Sequence, residues 1–229
     1  MVGPEKTTKK LAFETYQEFS LFLYEFFSKK SAITINQAEL EQDLKDSLGY
    51  PGKEPAIILM GHYGNWEVAL RQLLSHGYTV NTLSMKHSNS KVDTFFNKLR
   101  QHENLKCFDI QAGLRPLLKA VQNNEIIALA CERDYLHSGI QLELFDHQFN
   151  FPTGPAMILK KMKLPAYTFY QERSHLLNFK SRLYPFNYDP QESIHNLSFN
   201  IAENLFRLIQ KNPTQWLTFE PYFSRNTAS

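Results

Sequence analysis

Residues 61–67 read Gly-His-Tyr-Gly-Asn-Trp-Glu, and they follow five apolar residues, Ala56 to Met60, without a break. A histidine and a glutamate this close can divide the work of proton transfer. One ring nitrogen of His62 is held protonated by a carboxylate, which leaves the other free to accept a proton as general base. Gly61 and Gly64 allow a tight backbone and close approach of a ligand. Asn65 is a good helix N-cap, which puts Glu67 in the first helical turn, from where its carboxylate can reach back across the loop to the imidazole. The pair lacks only a nucleophile of the protein's own, so a substrate hydroxyl is the natural one. The plainer alternative is that His62 caps a turn and Glu67 complements the helix dipole.

The surrounding elements must bring this loop to a ligand. Ala56–Met60 reads as a buried strand and Trp66–Ser75 as a helix closed by Gly77. Alternation continues with a strand at 78–83, a helix at 91–102, a strand at 105–110, a helix at 114–123 and the buried strand 125–131. Continuous apolar strands alternating with helices predict an α/β fold, a mainly parallel central sheet covered by helices on both faces. Ligands of such sheets bind at the carboxyl ends of the strands, and His62 stands just beyond one.

Further on, GIQLELF (139–145) reads as one strand and GPAMILKKM as a helix opened by Gly154-Pro155. Residues 165–186 read as a hairpin with its arms meeting near 172–174, followed by a helix over about 191–210 and a strand at QWLTF, 215–219. A helix at 37–47 is stopped by Gly49, Pro51 and Gly52. With no internal repeat, low-complexity tract or linker in view, residues 1–229 are expected to form one domain with an N-terminal amphipathic helix over about 11–28. That helix carries Phe13, Tyr16, Phe19, Leu23, Phe26 and Phe27 at helical spacing, an apolar arc wider than one core face requires. It can pack wholly on the domain, or present part of its surface to a membrane, with Lys9-Lys10 and Lys29-Lys30 flanking it.

The composition narrows the function. A net charge of +2 is too weak for a nucleic-acid partner. Cys107 and Cys131 sit in strand-like apolar surroundings, as reduced core thiols of a cytosolic protein would. No uncharged apolar run approaches the roughly 20 residues of a membrane span, and the first residues lack the apolar core of a signal peptide. Nothing resembles a nucleophile elbow, a dinucleotide fingerprint, a P-loop or a paired-histidine zinc motif.

GHYGNWE resembles the signature of the bacterial lipid A late acyltransferases and their relatives, among them phosphatidylinositol mannoside acyltransferase, a branch of the lysophospholipid acyltransferase superfamily. Their motif is His, four residues, then Asp or Glu, filled here by His62 and Glu67 with Gly64, Asn65 and Trp66 also matching. KVDTFFNKLR is similar to the family's second block, ending in Arg100. IIALACERDY is similar to its strand ending in an acidic triplet, here Glu132-Arg133-Asp134 with Glu in place of the usual first Asp. ELFDHQFNFPTGPAMILKKMKLPAYTF and the closing NPTQWLTFEPYF continue the resemblance in order, over about residues 15 to 223. Members usually carry an N-terminal transmembrane helix ahead of the region matching Tyr16 onward, so an anchor-free protein and a shortened chain are both open.

The resemblance implies an O-acyltransferase without a cofactor, taking a fatty acyl group from acyl-CoA or acyl carrier protein to a hydroxyl of a glycolipid or lysolipid. The expected setting is the cytoplasmic face of the inner membrane, in peripheral contact with it. His62 would be the base and Glu67 its orienter, and amides around Gly64 and Asn65 are candidates for the oxyanion. Arg100 and Arg133 are candidates for substrate phosphates, or else form intramolecular salt bridges. Glu132 and Asp134 stand at least as well as structural pins of Arg133 or nearby loops. No metal is called for. The rivals are a thioesterase-like hydrolase, in which water takes the place of the acceptor, and a non-catalytic lipid-binding protein on the same fold.

Overall fold

The computed structural model describes residues 4–27, 34–35, 37–85, 89–220 and 222–225, so Lys29 and Lys30 lie outside the described residues. In chain order, α1 (Pro4–Phe27), β1 (Thr34–Ile35) and α2 (Gln37–Leu48) come first. Then β2 (Ala56–Met60), α3 (Trp66–Ser75), β3 (Val80–Ser84), α4 (Ser90–Arg100), β4 (Leu105–Asp109), α5 (Arg115–Gln122) and β5 (Ile126–Ala130) alternate. A hairpin of β6 (Ile140–Leu144) and β7 (His147–Phe151) precedes α6 (Gly154–Met162). A second hairpin, β8 (Ala166–His175) and β9 (Asn178–Pro185), is followed by α7 (Ile194–Ile209) and the short β10 (Ser224–Arg225).

The central sheet runs β1-β9-β8-β2-β5-β3-β4, and every neighbouring pair in it is parallel except β8 with β9. This is the mainly parallel α/β architecture that the strand composition predicts. All five residues of β2 are buried, because both faces of the sheet are covered. Ile57, Leu59, Ile127 and Leu129 pack into a cluster with residues of α5, α6 and α7. Ile58, Met60, Val80 and Ala128 pack into the other cluster, with α2 and α3. Each such aliphatic side chain contributes about 1.5–3 kcal/mol by its burial, so the two clusters fix which face every strand residue takes.

Three sequence expectations change, and one strand is added. GIQLELF is half of a hairpin: the chain reverses at Phe145 and Asp146, both at positive φ, and returns as β7. That is a two-residue hairpin turn made without the glycine that normally marks one. The second hairpin turns at 176–177 rather than near 172–174, at two leucines rather than turn-forming residues, with Leu177 at φ 59°. QWLTF is not a strand; it makes a single bridge, Trp216 with Tyr63, because it crosses the loop after β2 instead of running along a neighbour. Cys131 is a buried thiol as expected, but Cys107 lies exposed on β4, the edge strand of the sheet.

The crossing of QWLTF holds the loop of residues 61–65. Gly64 N donates to Gln215 O at 2.9 Å and Leu217 N donates to His62 O at 3.0 Å. Gly64 has φ +62°, and a Cβ there would stand 2.3 Å from the carbonyl oxygen of Gln171 in β8. Only glycine fits this point, both for its backbone angle and for the closeness of β8. Gly64→Ala should therefore lose roughly 1–3 kcal/mol or more of stability, the cost of a strained backbone plus the displaced strand. Urea unfolding measures this, and a variant as stable as wild type would mean that the loop follows another path.

Candidate active site

The parallel register of β2 and β5 builds the site. Met60 is paired with Ala130, and Cys131 N donates to Met60 O at 2.9 Å. The residues that leave the two strand ends in step are therefore His62 and Glu132. Glu132 Oε1 accepts from the His62 backbone amide at 2.9 Å and from ring Nδ1 at 2.5 Å. Glu132 is fully buried, and its carboxyl is held below the ordinary carboxylate range. Burial pushes it up, but the neighbouring imidazole and the hydrogen bonds from His62 outweigh that. An ionised carboxylate can only accept, so the proton of the pair sits on Nδ1, and Nε2 is the nitrogen left to take another. The second oxygen, Oε2, is buried with no hydrogen-bond partner among the described residues.

The carboxylate bonded to the His62 ring is thus Glu132 and not Glu67. From the first turn of α3, Glu67 turns away from the imidazole to Arg100 at the end of α4. Arg100 Nε donates to Glu67 Oε1 at 2.9 Å, and one terminal nitrogen donates to the same oxygen. This two-pronged contact between charges is much stronger than any reach back to a ring already bonded elsewhere. Burial disfavours the charge of Arg100, but Glu67 more than compensates, so its guanidinium is held more firmly protonated than usual. The salt-bridge alternative for Arg100 is therefore what the geometry contains, although Arg100 still lines the cleft beside His62.

The other expected residues fall into place around this pair. Asn65 is buried and caps α3, its side-chain oxygen accepting from Val68 N at 3.2 Å. The Gly64 amide, a candidate oxyanion donor, is spent on Gln215 O, and Val68 N on the Asn65 cap, so the first-turn amides left for an oxyanion are those of Trp66 and Glu67. Arg133 gives one nitrogen to Leu217 O at 2.7 Å and lies 3.8 Å from Glu132 Oε1, with its side chain 32% exposed toward the cleft that it lines. Asp134 accepts from Ser138 N at 3.2 Å and Gly139 N at 2.8 Å, a turn pin rather than a reacting group. Trp66 stands edge-on to the His62 ring at 4.7 Å and stacks on Phe22 of α1 at 4.3 Å.

His62, Glu67, Arg100 and Arg133 line one cleft of about 940 Å³ at the carboxyl ends of β2, β3 and β5. Its walls come from both faces of the sheet: Phe22, Trp66 and Leu70 on one side, Leu83, Leu114 and Ile158 on the other. A cleft of this size with apolar walls and a few charged groups at the centre suits a lipid chain joined to a polar head.

The family model described as bacterial lipid A biosynthesis acyltransferase matches residues 3–225. Among curated proteins, the chain is similar to a phosphatidylinositol mannoside acyltransferase of Mycobacterium tuberculosis (strain CDC 1551 / Oshkosh). The two are 21% identical over 173 residues, which is 72% of this chain and 54% of that protein. It is similar also to the phosphatidylinositol mannoside acyltransferase of Mycolicibacterium smegmatis, 26% identical over 107 residues, 45% of this chain and 35% of that one. The chain spans about half the length of the first of these relatives.

The depressed carboxyl of Glu132 fixes a sign. A group whose folded pKa is lowered contributes stability above its unfolded value, about 4.3 for Glu, and loses it as pH falls through the folded value. Wild type should therefore gain stability relative to Glu132→Gln as pH rises through the acid range to above the unfolded value of about 4.3. Unfolding curves of the two proteins across this range test it, and a difference that grows toward acid would contradict the ionised pair.

Proposed function

The chain belongs to the bacterial lipid A biosynthesis acyltransferase family, and on that premise we propose that it moves a fatty acyl group from a thioester to a hydroxyl of a glycolipid or lysolipid. The thioester is carried by coenzyme A or acyl carrier protein. One observation carries the reading: an imidazole oriented by a buried carboxylate, with Nε2 left to act, lines a lipid-sized cleft at the strand ends.

In this mechanism Nε2 of His62 removes the hydroxyl proton as the acceptor oxygen attacks the thioester carbonyl. Glu132 stabilises the imidazolium that forms. The tetrahedral oxyanion is met by the first-turn amides of α3. When the intermediate collapses, the C–S bond breaks, the imidazolium returns its proton to the leaving sulfur, and ester and thiol are the products. Glu67 acts at one remove, by holding Arg100 against the cleft. Arg133, and the donors of Arg100 not spent on Glu67, are assigned to phosphates of the donor or acceptor, which forked guanidinium groups suit.

The acceptor is a membrane lipid, and the protein meets it from the surface. No described helix is long and apolar enough to cross a membrane. Phe13, Tyr24 and Phe27 of α1 and Val92 and Phe95 of α4 are exposed, and the Phe27 and Phe95 rings are 5.8 Å apart, so the two helices offer one apolar surface. Met85 and Phe219 are exposed and also line the cleft, which supports a continuous apolar path from that surface to His62. Exposed Lys9, Lys10, Lys91 and Lys98 suit anionic headgroups at the face where the thioester donor is found.

Acyl transfer should be measured with acyl-CoA and acyl carrier protein donors, with and without a lipid acceptor. His62→Ala should lose roughly 10²- to 10⁴-fold in turnover with its fold intact. Glu132→Gln should approach that loss, and the double variant should be little worse than His62→Ala alone, because the two act as a unit. Full turnover in His62→Ala would sink the mechanism, and acyl release indifferent to acceptor would favour the hydrolase. Sedimentation with anionic vesicles should show binding at low salt that weakens as salt rises, each lysine near the surface contributing on the order of 1 kcal/mol. Absence of binding at low salt would leave α1 and α4 as ordinary surface.

A further inference from the structure

α1 lies outside the motif that marks the site, yet it sends a carboxylate into the protein. Glu25 is fully buried, and apart from a 3.3 Å contact from Leu177 N in the β8–β9 turn, its hydrogen bonds lead to the His62 loop. Oε2 accepts from Asn65 Nδ2 at 2.9 Å, the residue whose other side-chain atom caps α3. Oε1 accepts from Arg173 Nε at 2.8 Å, and Oε2 from its terminal nitrogen at 2.6 Å. Arg173 belongs to β8, and its backbone forms a reciprocal pair with the Gln215 side chain, at 2.8 and 2.7 Å. Gln215 O in turn takes the Gly64 amide. Glu25 thus grips the loop after His62 twice, directly through Asn65 and indirectly through Arg173 and Gln215.

We propose that Glu25 is a positioning residue for acyl transfer, holding Asn65 so that His62 and the first-turn amides of α3 keep their relative places. The inference rests on the reading of His62 as the base. A carboxylate is the suited group here. Asn65 Nδ2 and the Arg173 guanidinium offer donors only, and a buried guanidinium needs an opposite charge to stay buried. Glu18 supplies a second carboxylate to Arg173 but makes no bond to Asn65, so it cannot replace Glu25 in the loop. Because Glu25 touches neither substrate nor His62, its loss should act on turnover rather than on substrate affinity.

The test uses the whole chain and compares Glu25→Gln, Glu25→Asp, Asn65→Ser and the double variant Glu25→Gln/Asn65→Ser, with His62→Ala as reference. Turnover is expressed per folded molecule, with folding followed by circular dichroism well below the lowest melting point. Glu25→Gln should lower kcat roughly 10- to 100-fold, the range for a small misplacement of reacting groups, with KM for the donor within about twofold of wild type. Asn65→Ser keeps an oxygen for the cap but loses the amide donor, and it should lose a similar factor. The double variant should lose no more than the larger single loss, since the two residues act through one contact. A kcat for Glu25→Gln within twofold of wild type, or losses that multiply in the double variant, would overturn the proposal. If Glu25→Gln does not fold, Glu25→Asp decides, because it keeps a negative charge beside Arg173 while drawing the carboxylate back from Asn65 by one methylene. A wild-type kcat there, or in Asn65→Ser should neither Glu25 variant fold, would overturn the proposal equally. An active His62→Ala would instead remove the reading beneath it, and so the two failures are told apart.

Discussion

The site depends on one alignment, the in-register parallel pairing of β2 with β5. Each strand has five residues, and each is followed by a small residue and then by the group that matters, His62 or Glu132. A slip of one residue would send one of the two to the opposite face, since strand side chains alternate. Register in turn is set by the two apolar clusters, which bury Ile57 and Leu59 on one face and Ile58 and Met60 on the other. The hydrophobic pattern of the sheet is therefore also what positions His62 against Glu132.

A buried carboxylate is a costly way to hold a ring. Glu132 has lost all its water, and its second oxygen has gained no partner among the described residues. Its charge persists because the imidazole and the His62 amide converge on the other oxygen. Local rules of this kind are usually broken at functional sites, where a group is held ready at the expense of stability. Glu67 shows the opposite economy. Its charge is matched by Arg100 in a two-pronged contact and is free neither to compete for the imidazole nor to repel an anionic substrate. Two carboxylates that the fold brings near one histidine therefore differ in role because they have different partners.

Most of the fold could be read from the chain, because strand and helix periodicities are local and the buried strands are strongly apolar. The bounds of β2 and α3 agree with the sequence reading to the residue, with a glycine-rich loop between them as expected. What failed locally were turns without glycine, Phe145-Asp146 and Leu176-Leu177, where tertiary contacts override preference. Leu177 N, for one, is held at 3.3 Å by the carboxylate of Glu25. At the site, His62 was legible from its neighbours, but its partner was not, since Glu132 lies 70 residues away and meets it only through strand order. A signal was present: two five-residue apolar strands, each ending in a small residue and an ionisable one. Using it requires knowing that β2 and β5 are adjacent, and sequence order alone would sooner pair β2 with β3. Glu25 was less visible still, because on a helix that also carries Glu14 and Glu18 nothing in the sequence marks the one that points inward.

That inward residue joins two requirements that lipid chemistry at a surface imposes together. The outer side of α1 carries exposed Phe13 and Tyr24, while its inner side supplies Phe19, Phe22 and Leu23 to the cleft wall and Glu25 to the loop. Phe22 lies on Trp66, and Trp66 stands edge-on to His62, so an apolar route runs beside the polar one from the same helix to the same ring. A helix bound only by apolar contacts could slide along its axis with little loss, because dispersion and burial are not directional. A buried carboxylate bonded to Asn65 and Arg173 allows no such sliding, since a shift of one residue would strand charges on both sides without partners. The ion pair thus fixes the axial position of α1, and the aromatic contacts then close the cleft at a defined place. On the function proposed above, this gives a wall that can face lipid without loosening His62 behind it.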